Sequence, residues 1–316
     1  MDLSKAIKEK TLALGFDAVG ITTAQPLDDE VKRYFEGWLA SGFGGTMGYL
    51  YRNRDKRLNP QLLVPGAQSV IVVGLNYKPA EVDRNGPSSR AGEVAHYAWY
   101  EDYHGFMKKR LYALREFINT LSPEAHQAKV CVDSVPLAER ALAVRAGLGF
   151  IGKNHMLIHP ELGTEMFLGE LITTLALPAD PPNRDHCLDC DDCLTVCPTG
   201  ALRSDGRLDA SLCINYLTIE RHDEIDPVLA KKIGTRVYGC DACIQCCPHT
   251  HQAPSCQNQD FTVEEDKVRL DPEAILDLSE EEFARQFSDS PIKRLGLKRL
   301  QRNARISLAN QTPEPE

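Results

Sequence analysis

Cys187-x2-Cys190-x2-Cys193-x3-Cys197-Pro198 has the spacing that wraps iron–sulfur cubanes. Three cysteines two residues apart can hold one 4Fe–4S cluster, while a fourth followed by a turn-making proline points to a second cluster. A shorter run follows, Cys240-x2-Cys243-x3-Cys247-Pro248. By the same crossed logic, Cys247 returns to complete the first cluster. The second then holds Cys197, Cys240 and Cys243 and needs one more thiolate. Cys213, Cys246 and Cys256 compete for that place. Cys246 would restore the regular spacing, but it adjoins Cys247, and neighbouring side chains diverge. The spacing therefore favours Cys213, in the apolar segment SLCINYLTIE. Two zinc sites are the alternative that paired CxxC motifs permit, although the full CxxCxxCxxxCP run belongs to iron–sulfur chemistry. Cys131, on a predicted strand, reads as a buried core thiol.

Eleven cysteines in 316 residues are many, and at such short spacings they read as metal ligands in a reducing compartment. The N-terminus MDLSKAIKEKTLALGF carries no apolar run of export length and no twin arginine. Nowhere do eighteen uncharged apolar residues run together, so the expectation is a cytoplasmic protein with no membrane partner. A formal net charge of −9 argues against a uniformly nucleic-acid-coating surface but permits a local basic patch. Such a patch exists: Lys293, Arg294, Lys298, Arg299, Arg302 and Arg305 place six cations in thirteen residues without an acid. They are candidate phosphate contacts. The competing reading is a solvated helix that balances the acidic Glu280–Glu282 stretch.

The elements that must position these groups follow from periodicity. Helical spacing covers residues 2–14, 28–40, 103–121 and 137–146, and strand-length apolar runs occur at 17–21, 69–75, 129–133 and 167–175. This alternation predicts an α/β (α+β) domain over 1–177. A proline-rich linker, LPADPPNRDH, opens a ferredoxin-like segment expected at 178–256. An acidic helix and then a basic one at 291–309 form a C-terminal helical segment, 257–310, and QTPEPE at 311–316 reads as a disordered tail.

Clusters do not choose substrates, so the first 177 residues must hold the reaction centre. Three segments there are rich in ligand-binding groups: Arg52–Arg57, the aromatic and histidine run His96–His104, and Val132-Asp133-Ser134-Val135-Pro136 at a strand end. The GxGxxG match at 147–152 follows a helix rather than a strand, which argues against a dinucleotide turn. Its glycines allow close approach to a bulky ligand or simply a tight turn.

VDSVPLAERALAVRAGLGFIGKNHMLI, FLGELITT, the paired cysteine runs and SPIKRLGLKRLQRNARISLAN together resemble the epoxyqueuosine reductases. The resemblance spans essentially the whole chain. It implies a cobalamin-binding α/β domain akin to reductive dehalogenases, a double 4Fe–4S module and a helical part that grips tRNA. The implied activity reduces epoxyqueuosine to queuosine at the tRNA wobble position, with cob(I)alamin fed by the two clusters from a soluble flavodoxin or ferredoxin system. It also implies Cys213 as the eighth thiolate, leaving Cys246 a bystander. Asp133 matches the family's proton donor beside the cobalamin, and Arg57, Tyr97, Ser134, Lys153 and His155 fall in cobalamin-lining segments. An acid role for Asp133 requires burial to raise its pKa; otherwise it is a turn-capping aspartate. The family often has a small residue where Tyr100 stands, which implies a differently packed corrin or substrate edge. Many members continue past this C-terminus with helical repeats, which implies a weaker grip on tRNA without them. Two rivals remain: a cobalamin and iron–sulfur reductase of a small molecule, and a plain electron carrier with no chemistry of its own. Nothing suggests a coiled coil or dimer helix, so a monomer is expected.

Overall fold

The computed structural model describes residues 2–81, 90–122, 126–187 and 189–312. The last four residues of the predicted tail lie outside them, whereas Gln311 closes a helix. The strands are β1 (Ala18–Thr23), β2 (Ser69–Asn76), β3 (Gly92–Val94), β4 (Ala128–Cys131), β5 (Phe150–Ile151), β6 (Leu157–Ile158), β7 (Met166–Thr173), β8 (Arg236–Tyr238) and β9 (Arg269–Leu270). The main sheet has the order β1-β2-β7-β4, and every neighbouring pair is antiparallel. The class is thus α+β.

Every residue of β2 and β7 is buried, because both faces of the sheet are covered. Alternation divides the side chains between two cores. Ile71, Val73, Leu75, Phe167 and Leu171 pack on one face with Leu111, Leu114 and Ile118. Val70, Val72, Met166, Leu168 and Ile172 pack on the other with Leu58, Leu142 and Ala143. Each fully buried Ile, Leu or Phe contributes about 1.5–3 kcal/mol, so these two faces dominate the fold's stability.

The helices that matter are α1 (Leu3–Ala13), α2 (Asp29–Ala40), α3 (Tyr103–Leu121), α4 (Glu139–Arg145) and α5 (Leu297–Gln311). Asp102 starts α3 by accepting the His104 N–H at 3.0 Å. The acidic segment forms Glu280–Gln286, closed by a Ser279–Glu282 capping box. The basic segment is not one helix from 291 to 309. A short 3-10 turn, Pro291–Leu295, ends at Gly296, whose φ of +79° breaks the helix before α5.

The proline-rich linker packs along the free edge of β1, where Asp180 gives its N–H to the Ile21 carbonyl and accepts the Ile21 N–H, both at 2.8 Å. A second, three-stranded sheet has the order β8-β3-β9. It joins one strand from each of the three predicted segments, with β3 and β8 parallel. The GxGxxG glycines serve close packing within the chain. A Cβ on Gly149 would lie 2.1 Å from the Ile158 carbonyl oxygen, so the β5–β6 hairpin closes only over glycine. Tyr100 is a core residue that stacks on Phe261 with ring centroids 4.6 Å apart and donates its hydroxyl to the Tyr77 carbonyl. It forms no cleft edge. Among the described residues, no helix is long and apolar enough to cross a membrane.

Candidate active site and cluster module

β4 ends at Cys131, two residues earlier than the predicted strand, and the chain then bends sharply. Asp133 (φ 49°) and His155 (φ 60°) are the non-glycine residues in the left-handed region among the described residues. Such strain persists only where the surroundings enforce it, and it concentrates at functional sites. The Asp133 backbone N–H donates to Glu139 Oε1 at 2.7 Å, which fixes the bend against α4.

The Asp133 carboxylate is met by two cations. His104 Nε2 lies 3.3 Å from Asp133 Oδ2 and His104 Nδ1 lies 2.6 Å from Asp102 Oδ1. Two carboxylates on the two ring nitrogens call for an imidazolium, because only that form donates from both. Burial works against the charged ring, but the hydrogen bonds to Asp102 and Asp133 outweigh it and raise His104 to about 9. Arg294 Nη1 lies 3.5 Å from the same Asp133 oxygen and Nη2 lies 2.9 Å from Glu220. The His104 hydrogen bond, aided by Arg294 and Arg57, holds Asp133 below the usual carboxylate range against the opposing effect of burial. The raised pKa that an acid role for Asp133 alone would require is not found; the two carboxylates favour the proton on His104 instead. Sequence reading placed His104 in a ligand-binding run but gave it no role, although Asp102-x-His104 at a helix start was the available signal.

The predicted cobalamin-lining residues fall into two groups. Arg57 packs beside the bend: its Nη1 donates to the Leu137 carbonyl at 3.1 Å, and its buried Nε meets no protein acceptor. An orphaned guanidinium N–H is the kind of donor that a carbonyl or phosphate oxygen of a large ligand satisfies. Ser134 is exposed next to Asp133, and Tyr97 donates its hydroxyl to that of Tyr238 at 3.1 Å. His155 faces the Tyr34 hydroxyl across 3.3 Å, and burial and Arg140 lower its pKa, which favours the neutral ring. Lys153 does not join them. Its Nζ binds the Cys190 carbonyl at 2.9 Å and Asp191 at 2.6 Å, and its backbone N–H points to Cys187 Sγ at 3.4 Å. The β5–β6 hairpin carries Lys153 to the cysteines.

Cys187, Cys190, Cys193 and Cys247 line one cavity of about 100 Å³ together with Lys153, Asn154, Ile158 and His249. These are the four thiols that crossed spacing assigns to the first cluster. Burial and the neighbouring thiols push Cys193 up to about 11, so cations between the sulfurs are needed to keep them ionised. The second set behaves alike. Burial raises Cys213, Cys240 and Cys243; Cys197 and Cys213 add to the rise at Cys243, and Cys213 adds to that at Cys240. Cys246 instead neighbours Cys190, Cys193 and Cys247, and Cys256 packs by Phe261. Both donor sets fit four-thiolate clusters.

A family model described as epoxyqueuosine reductase QueG, DUF1730 matches residues 57–134, and one described as a 4Fe–4S double cluster binding domain matches residues 186–250. An epoxyqueuosine reductase from Xanthomonas campestris is 40% identical over 311 residues, covering 96% of this chain and 86% of that protein. The chain belongs to the epoxyqueuosine reductase family. A member solved with an epoxyqueuosine-modified tRNA-Tyr stem loop superposes with a TM-score of 0.91 at 32% identity, over 98% of this chain and 81% of that one. A Bacillus subtilis member, with its catalytic aspartate loop swung out of the active site, gives a TM-score of 0.86 at 32% identity over the same shares. As a member of this family the chain is an oxidoreductase with a double 4Fe–4S domain.

The basic segment separates by face. Arg302 is buried and gives its guanidinium to the carbonyls of Leu217, Arg221 and Asp223 at 2.7–2.8 Å. Arg299 donates to the carbonyls of Leu295, Arg294 and Ile219. Every N–H of the Arg302 guanidinium is engaged within the chain, which corrects its assignment as a tRNA contact, and Arg299 donates three of its N–H groups to carbonyls. They clamp the end of the turn Tyr216–Glu220. Arg294 belongs to the Asp133 cleft. Lys293, Lys298 and Arg305 are exposed, with Lys298 and Arg305 seven residues apart on one helix face.

Proposed function

We propose that this chain reduces the epoxide of epoxyqueuosine in tRNA to the alkene of queuosine. The supporting observation is the Asp102–His104–Asp133 chain of charges at a strained bend. The conversion takes up two electrons and two protons: both carbon–oxygen bonds of the epoxide break, a carbon–carbon double bond forms, and one water leaves. When bound, the two clusters and a cobalamin supply the electrons.

The chain's own residues hold and direct the proton. His104 carries it at neutral pH, and Asp133 Oδ2 passes it to the oxygen on which negative charge develops. An acid so placed contributes about 10²–10⁴-fold. Asp102 fixes the ring, and Arg294, anchored by Glu220, holds the carboxylate in line. Arg57, Tyr97, Ser134 and His155 wall the cobalamin. Lys293, Lys298 and Arg305 meet tRNA phosphates. Cys187, Cys190, Cys193 and Cys247 hold the cluster at the surface cavity, where a soluble flavodoxin- or ferredoxin-type donor reaches it. Cys197, Cys213, Cys240 and Cys243 hold the inner one. The protein works in the cytoplasm.

The test is turnover of epoxyqueuosine-tRNA by protein loaded with clusters and cobalamin, read as loss of one oxygen from the nucleoside. Loaded protein that leaves the epoxide intact while reducing a small haloarene would sink this reading.

A further inference from the structure

The reaction consumes two protons, and the His104–Asp133 pair holds one. β7 places a second acid close by. Met166, Leu168, Glu170 and Ile172 alternate onto the sheet face that packs against α4, so a carboxyl sits in an otherwise apolar layer. Glu170 is fully buried, opposite Cys131 in the register, and neither of its oxygens meets a protein hydrogen-bond partner. A carboxylate in that position would be uncompensated, and neutralisation is the cheaper state. Toward the cleft, α4 opens with Glu139. Its Oε1 accepts the Asp133 N–H, which leaves Oε2 as the oxygen that can carry a proton.

We propose that Glu139 delivers the second proton of each turnover to Asp133, with Glu170 a buried neutral acid behind it. This rests on the functional reading above. In the step, the O–H bond of Glu139 breaks and an O–H bond forms on the Asp133 carboxylate, with no change in electrons. Glu139 then reloads from the cleft.

The groups facing Glu139 determine its state. Burial and the Asp133 charge push it up to about 7, opposed by the Asp133 N–H, Arg140 and Arg57. From β7, Glu170 lies near enough to be raised by the Glu139 charge; from β4 and α3, Cys131 and Tyr103 feel that charge too. Burial, with the charges of Glu139 and Asp133, holds Glu170 well above the ordinary carboxylate range. Glu139 therefore has a proton to give below about pH 7, while Glu170 stays neutral behind it.

Two measurements decide the matter. Infrared spectra of the holoenzyme at pH 8 should show a protonated carboxyl stretch that Glu170→Gln removes; a spectrum identical in both proteins overturns the buried acid. Glu139→Gln keeps the acceptor for the Asp133 N–H but carries no acidic proton. It should lower kcat at pH 6 by at least roughly tenfold, leave KM unchanged, and abolish the fall in kcat near pH 7. A Glu139→Gln enzyme with the wild-type kcat and pH profile overturns the proposal. Wild-type protein inactive on epoxyqueuosine-tRNA at every pH overturns the functional reading and this inference together, while the infrared result still reports on Glu170.

Discussion

The cysteine module and the Asp133 cleft are built in opposite ways. Seven of the eight thiols proposed to hold the clusters lie in two short runs, and the spacing limits which sulfurs can share a cluster. The cleft draws Asp133 from a strand end, His104 from the start of α3, Glu139 from α4 and Arg294 from the turn before α5. One set is a local pattern and the other a meeting of distant elements. The turn Tyr216–Glu220 links them, since Cys213 lies just before it and Glu220, its last residue, holds Arg294.

The comparison can be broken from either side. Asp133→Asn should lower turnover about 10²–10⁴-fold while iron content and cobalamin binding stay normal, since the module does not depend on the cleft's charge. Unchanged turnover at normal loading would remove the acid from the mechanism. Arg302→Ala cuts the link instead. It leaves three carbonyls without their charged donor and should cost about 2–3 kcal/mol in denaturant unfolding, with loss of the inner cluster before the outer. An Arg302→Ala protein as stable as wild type would mean that the clamp is idle.

A third measurement concerns pH. His104 is raised from 6.5 to about 9 in the folded protein, so its stabilising pair with Asp102 and Asp133 is complete below 6.5 and fades as pH climbs through 9. Thermal unfolding followed from pH 6 to 10 should show a descent near 9 that His104→Asn lacks. The smallest effect belongs to the exposed cations. Lys298→Ala should leave stability within about 0.5 kcal/mol and reduce the salt dependence of tRNA binding by a slope of roughly 0.7–0.9. An unchanged slope would take Lys298 off the tRNA path.

Much of the fold was legible because its signals are local. The β2 run SVIVVGL, the α3 period and the CxxC spacings each declare themselves within a few residues. Arg302 was misread because a cation facing carbonyls and a cation facing phosphates look alike in sequence; only the helix face separates them. His104 was given no role of its own because Asp102, two residues before it, doubles as the helix cap. Lys153 was drawn to the cysteines by a hairpin whose closure no short pattern encodes.

The small sheet has a further consequence, in the timing of synthesis. β3 cannot find its parallel partner β8 until the cysteine runs' connecting segment has left the ribosome, and β9 follows later still. Pairings so distant in sequence form late. The first cysteine run is therefore synthesised before either partner of β3 is available. Once residues 269–270 pair with β3, the same short strands staple the cysteine-bearing segment to the catalytic half, so the last part of the chain to emerge locks the first two together.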